Sequence, residues 1–191
     1  MKKRGDKPIT GSGALPSRFK QAAAETPEQV RIRRAVPADL KVITQIYNEA
    51  ILTTTATFDT EPYTVAERLP WFQAHSGRHP ILVAELQRRV VGWASLTKWS
   101  ERPAYSDTAE TSFYVKSETR GRGIGRLLKV AIIEEARRLG YHTLIAQVAA
   151  GSLESLHLNE SLGFRHVGTL KEVGRKFGKL LDVHILQKML V

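Results

Sequence analysis

The chain of 191 residues contains no cysteine. That removes disulfides, thiolate metal sites and a cysteine nucleophile at once, and it is compatible with a reducing cytosol. No apolar run approaches the roughly 20 residues of a membrane span. The first residues lack the apolar core of a secretory signal, so a soluble cytoplasmic protein is expected. Acidic residues are in the minority, 19 against 29 Lys and Arg, for a net charge of +10. Residues 1–31 hold +4 of that excess and the remainder +6. No zinc-finger or recognition-helix pattern accompanies the charge, and a basic surface for an anionic small molecule accounts for it equally well. Specific nucleic-acid binding is therefore not expected. At 42% hydrophobic and 25% charged residues, one globular domain with a sizeable core is expected.

The most informative stretch runs from Thr111 to Arg138. Phe113 and Val115 alternate with polar neighbours, as in a strand. A glycine-rich basic turn follows, and then Ile124, Leu127, Leu128, Ala131, Ile132 and Ala136 recur at helical spacing. Gly121, Gly123 and Gly125 allow a sharp turn and close approach of a ligand to backbone. The unpaired N–H groups of the helix start, with Arg120, Arg122 and Arg126 around them, make this an anion site. The turn lacks the Gly-Lys-Ser/Thr ending that a nucleoside triphosphate and its magnesium require. Its order, G-x-G-x-G late in the chain, is not the early G-x-G-x-x-G of a dinucleotide fold.

Elsewhere the chain alternates short strands and helices. Residues 1–29, with Lys-Lys-Arg, Gly-Ser-Gly and scattered prolines, read as an appended flexible extension, loosely helical around Phe19 to Ala24. The domain proper spans 30–191. Val30 to Arg33 reads as a strand, Leu40 to Ile51 as a helix after Pro37, and Thr64 to Phe72 as a second helix. Ile81–Glu85 and Val90–Leu96 form a hairpin in which Gly92 marks a bulge or a close approach. His75 and His79 stand four apart, but Gly77 between them and Pro80 after them make them helix-end residues; no metal site is expected. Thr143 to Val148 is a strand, about Ser152 to Leu162 a helix closed by Gly163, and the chain ends in two strands joined by a glycine turn.

Arg120-x-x-Gly123-x-Gly125 after Tyr114-Val115 resembles the acetyl-CoA loop of the GCN5-related N-acetyltransferases (GNAT). Phe58-x-Thr60-Glu61-Pro62, Trp99-x-x-Arg102-x-Ala104-Tyr105 and Gly174-x-Lys176-Phe177-Gly178 are similar to their phosphinothricin acetyltransferase branch. The matches keep their order from about residue 30 to the C-terminus. This resemblance implies an α/β fold with a twisted mixed sheet splayed between its fourth and fifth strands. It implies acetyl-CoA as co-substrate, held by Phe113, Tyr114, Val115, the segment Arg120, Gly121, Arg122, Gly123, Ile124, Gly125 and Arg126, and by Ser152, Ser155 and Asn159. It makes Glu110 the general base. Phe58, Trp99, Arg102, Tyr105, Lys176 and Phe177 become acceptor-binding residues, with Arg102 facing a carboxylate. A homodimer is also implied, the last two strands contributing.

The chain departs from the family pattern at several points. Ser152 stands where an asparagine is common. Asn159 stands where a tyrosine or histidine is usual, and an amide cannot protonate a leaving thiolate. Arg175 and Leu180 replace Tyr and Trp near the acceptor pocket. The expected activity is direct acetylation of the α-amine of a small amino acid or analogue such as phosphinothricin or methionine sulfoximine. The alternatives are another amine, such as a polyamine or a protein N-terminus, or a non-catalytic CoA-binding module.

Overall fold

A computed structural model describes residues 30–190; the expected extension, residues 1–29, lies outside the described residues. The elements are β1 (Arg31–Arg34), α1 (Leu40–Thr53), α2 (Val65–Ala74), β2 (Ile81–Leu86), β3 (Arg89–Lys98), β4 (Thr108–Val115), α3 (Ile124–Arg138), β5 (Thr143–Ala149), α4 (Leu153–Ser161), β6 (Arg165–Lys176) and β7 (Lys179–Met189). The strands form one seven-stranded mixed sheet in the order β1-β2-β3-β4-β5-β7-β6. All neighbours are antiparallel except β4 and β5. Among the described residues no helix is long and apolar enough to cross a membrane.

Local chemistry in the sequence bounds the two hairpins and the helix entries. Both hairpin turns, Gln87-Arg88 and Phe177-Gly178, have positive φ at both central residues, the geometry that matches strand twist in two-residue loops. Gly92 carries both features expected of it: the β2–β3 register slips beside it between Ala84 and Glu85, and the Tyr114 carbonyl would lie 2.9 Å from a Cβ at that position. Thr64 caps α2, accepting from the Glu67 N–H while the Glu67 carboxylate takes the Thr64 N–H. Arg33 ties β1 to the α1 entry, its guanidinium donating to both Asp39 carboxylate oxygens at 2.7 and 3.0 Å and to Glu85 at 2.8 Å.

The sheet has a different core on each face. Ala94, Leu96, Ala109, Leu144 and Ala146 meet Leu128, Ile132, Ile133 and Ala136 of α3 in an aliphatic cluster. The opposite face packs Ile43, Ile46, Tyr47 and Ile51 of α1 against Val83 and Trp93, with Tyr63, Trp71 and Tyr114 at its margin. The buried stripe of α3 differs from its sequence pattern. Leu127 is 45% exposed, and Lys129 and Ile133 are buried in its stead, so the helix is rotated toward the side that carries a lysine.

Candidate active site

The parallel contact between β4 and β5 lasts three residue pairs, Thr108 with Thr143, Ala109 with Leu144 and Glu110 with Ile145. Beyond that point β4 follows β3 as far as Val115, and β5 follows β7 as far as Ala149. The sheet therefore opens into a V with Glu110 at its vertex. A cavity of about 60 Å³ fills the opening. It is lined by Thr111, Ser112, Phe113 and Tyr114 on one arm, Ala146 to Ala149 on the other, and Ala56, Lys129, Ser152, Ser155 and Asn159 around them.

Alternation along β4 divides its residues between the two faces. Ala109, Phe113 and Val115 belong to the α3 cluster, whereas Tyr114 packs on the α1 side, so Glu110 and Ser112 share Tyr114's face. The Glu110 carboxylate accepts a hydrogen bond from Gln147 Nε2 across the V at 3.2 Å. Burial pushes its pKa above the ordinary glutamate value, only partly opposed by the Gln147 bond and the Lys129 charge. A raised carboxyl pKa makes the carboxylate a stronger base than an ordinary glutamate.

The glycine turn lies at the open end of the V. Gly121 and Gly123 have φ of 74° and 77°, and Gly123, in the left-handed region, is the residue from which α3 starts. That conformation frees the first-turn N–H groups to point into the turn. Arg120 folds back to donate to the Val115 carbonyl at 3.2 Å, and Arg126 donates to Ser161 Oγ on α4 at 2.9 Å. Gly125 faces the Phe113 ring, 3.1 Å from where its Cβ would be, which brings the helix start close against β4. Ser152 precedes α4, while Ser155 and the buried Asn159 project from it into the cavity. Asn159 Nδ2 donates to the Ser155 carbonyl at 2.8 Å; its Oδ1 is buried with no hydrogen-bond partner. Of the cofactor-side residues named from the sequence, Phe113, Tyr114, Ser152, Ser155 and Asn159 line the cavity; Val115 ends β4, and the segment from Arg120 to Arg126 forms the turn after it and the start of α3.

The acceptor-side residues are more scattered. Phe58 packs on Gly174 of β6 so closely that any Cβ there would collide with its ring. Lys176 is buried and donates to the Thr57 carbonyl at 2.7 Å, so it fastens the β6–β7 tip to the 57–59 loop. Phe177 occupies the turn itself, 57% exposed. Trp99, Arg102 and Tyr105 lie in the loop between β3 and β4, outside the cavity lining, with Arg102 and Tyr105 exposed. That loop bonds to itself, Arg102 N–H to Ser100 Oγ and Tyr105 N–H to the Arg102 carbonyl.

Sequence reasoning missed three residues. Gln147 holds Glu110, and only the register of the V reveals it. Arg68 is buried under α1 with its guanidinium 3.7 Å from the Trp71 ring centroid and 4.4 Å from that of Tyr47, whose hydroxyl donates to Asp59 at 2.7 Å. Lys129 is fully buried at the base of the cavity. Its place on a helix whose apolar stripe was already full gave no signal. His75, which caps α2, spends its ring nitrogens on the Trp71 carbonyl and Thr97 Oγ1. No group of three or more metal-ligating side chains converges among the described residues.

Residues 32–185 match the acetyltransferase (GNAT) domain family. A phosphinothricin N-acetyltransferase of Streptomyces coelicolor is 39% identical over 159 residues, covering 81% of this chain and 93% of that protein. An L-methionine sulfoximine/L-methionine sulfone acetyltransferase of Pseudomonas paraeruginosa is 40% identical over 158 residues, with coverage of 82% and 92%. Among solved structures, a GNAT phosphinothricin acetyltransferase from Sinorhizobium meliloti in complex with acetyl-CoA superimposes with a TM-score of 0.81 at 34% identity, covering 84% of this chain and 88% of that one. A sheet opened at a glutamate, a basic glycine turn at its mouth and these relatives lead to one conclusion: the chain belongs to the GNAT N-acetyltransferases, in their phosphinothricin N-acetyltransferase-like branch.

Proposed function

We propose that the protein transfers the acetyl group of acetyl-CoA directly to the α-amine of a small amino acid or analogue of the phosphinothricin or methionine sulfoximine type, with Glu110 as general base. The observation that carries this reading is the position of Glu110, the last paired residue before the V, with a carboxyl group whose pKa burial raises. The pyrophosphate of the co-substrate fits the turn from Arg120 to Arg126, including Gly121, Ile124 and the first-turn N–H groups of α3. The pantetheine arm fits between β4 and β5, along Phe113 to Val115 on one side and past Ser152, Ser155 and Asn159 on the other. A β4 N–H would polarise the thioester carbonyl. The acceptor approaches Glu110 from the face shared with Ser112 and Tyr114. Glu110 takes a proton from its ammonium, and the free amine attacks without a covalent enzyme intermediate.

On this reading Arg102 and Tyr105 close over the acceptor when it binds, Arg102 pairing with its carboxylate, while Trp99, Phe58, Lys176 and Phe177 bound the acceptor's side of the site. A cytoplasmic homodimer is proposed with it. The edge strand β6 exposes Val167, Leu170 and Val173, and β7 exposes Leu180, an apolar patch suited to a second copy. The test is thiol release from acetyl-CoA with phosphinothricin, methionine sulfoximine, methionine sulfone and spermidine offered separately. Turnover with the amino-acid analogues and not with spermidine is expected; spermidine alone reacting overturns the acceptor assignment.

A further inference from the structure

A fully buried lysine requires an explanation, because desolvating an ammonium is costly unless it is paired. Lys129 reaches from the second turn of α3 to the base of the V. Its Nζ donates to Thr111 Oγ1 at 3.2 Å and faces the rings of Phe164 and Phe113, 4.5 and 5.6 Å from their centroids. These partners are all neutral. Asn159 is also buried at this cavity, its Oδ1 is unpartnered, and as an amide it has no proton to give a leaving thiolate. Among the described residues the charged group acting on Lys129 is Glu110 of β4; β5 and α4 line the cavity with the non-titrating Gln147, Ser152, Ser155 and Asn159.

We infer that Lys129 is the general acid of the reaction, delivering a proton to the departing CoA sulfur from the α3 face while Glu110 works from the α1 face. This rests on the acetyl-transfer reading above. As the intermediate collapses, the carbon–sulfur bond breaks with its electron pair going to sulfur. Sulfur takes a proton from the Lys129 ammonium and leaves as the thiol. The acceptor nitrogen sheds two protons in all: one returns Lys129 to its charged form and the other passes to solvent, so the balance closes. Burial brings the lysine down to about 7, with Glu110 pulling in the opposite direction, which matches the group to the task near neutral pH. Asn159 Oδ1 is left to accept from the thiol once it has formed.

The decisive measurement does not depend on turnover. Free CoA is titrated while bound to the wild-type protein, following the ultraviolet absorbance of the thiolate. Sulfur and Lys129 then titrate as a coupled pair, so a thiolate component is expected at least one unit below the thiol value of about 8.5, and Lys129→Met is expected to abolish it. In steady state Lys129→Met should lower kcat about 100-fold, leave the KM for acetyl-CoA within about threefold and remove the fall of kcat at alkaline pH. The variant exchanges a buried charge for an apolar chain of similar length, and its thermal melt shows whether it is folded. A bound thiol that titrates like free CoA in the wild type overturns the assignment, as does a shift that persists in Lys129→Met. If the wild type acetylates no acceptor, the proposed function fails on its own, and the thiol titration still decides the role of Lys129.

Discussion

The two faces of β4 are built from different materials. Under α3 the packing is mostly aliphatic, with Phe113, Tyr141 and Phe164 among it and one buried lysine, Lys129. Under α1 it is aromatic: Tyr47, Tyr63, Trp71, Trp93 and Tyr114 gather around the Arg68 guanidinium. Burial pushes the Tyr47 hydroxyl up to about 12, and it is fixed as a donor to Asp59. The aliphatic face supplies a stiff wall with few polar demands, suited to a co-substrate that never changes. The aromatic face carries polar tips at its rim, where Thr57, Asp59 and the Ala56 carbonyl meet Tyr47 and Tyr114, and such rims discriminate among small polar acceptors.

Substitutions can separate the two faces. Glu110→Gln, at the vertex they share, should lower kcat/KM for the amino-acid acceptor by about 10²–10⁴-fold and leave the acetyl-CoA Kd, measured by calorimetry, unchanged. Loss of co-substrate affinity with this variant would mean the two faces are not independent. Arg102→Ala should touch the acceptor side alone, raising the KM for a carboxylate-bearing acceptor about tenfold or more, as for a lost charge-assisted bond of about 1.5–3 kcal/mol, with kcat little affected. Gly174→Ala drives a methyl into the Phe58 ring. It should cost about 1–3 kcal/mol in urea unfolding and raise the acceptor KM several-fold, while acetyl-CoA binding holds. The smallest effect concerns pH. Gln147 lowers the Glu110 pKa by bonding the carboxylate, so Gln147→Leu should move the acid limb of the kcat/KM profile to higher pH. The limb lies above the ordinary glutamate value in the wild type, because activity is lost as pH falls through a raised pKa.

The same division explains what could be read from the chain beforehand. The basic glycine turn is local: strand, three glycines, three arginines and a helix follow one another within 28 residues, so the proposed co-substrate site is legible in one stretch. The mixed sheet and the parting of its fourth and fifth strands followed from the resemblance those residues carry; the full strand order did not. The proposed acceptor side draws on segments near residues 57, 100 and 175, and nothing in the sequence says that Lys176 will spend its charge on the Thr57 carbonyl. Lys129 was invisible for a different reason. A lysine in an amphipathic helix is read as solvent-facing, and its neighbour Leu127 as core; the fold reverses them, leaving Leu127 45% exposed.

A sheet that parts in its middle has edges inside the molecule as well as outside. From Thr111 to Val115 and from Ala146 to Ala149, the backbone groups facing the opening have a strand partner on their other side only. An exposed edge at the surface recruits another strand. An interior edge recruits whatever carries amides at the right spacing, so an entering arm would complete the sheet much as an added strand does. Binding and folding then become coupled. Every molecule held in the cleft adds to the stability of the whole domain, by about 2.7 kcal/mol at a ligand concentration one hundred times its Kd, and the protein is at its most fragile between turnovers.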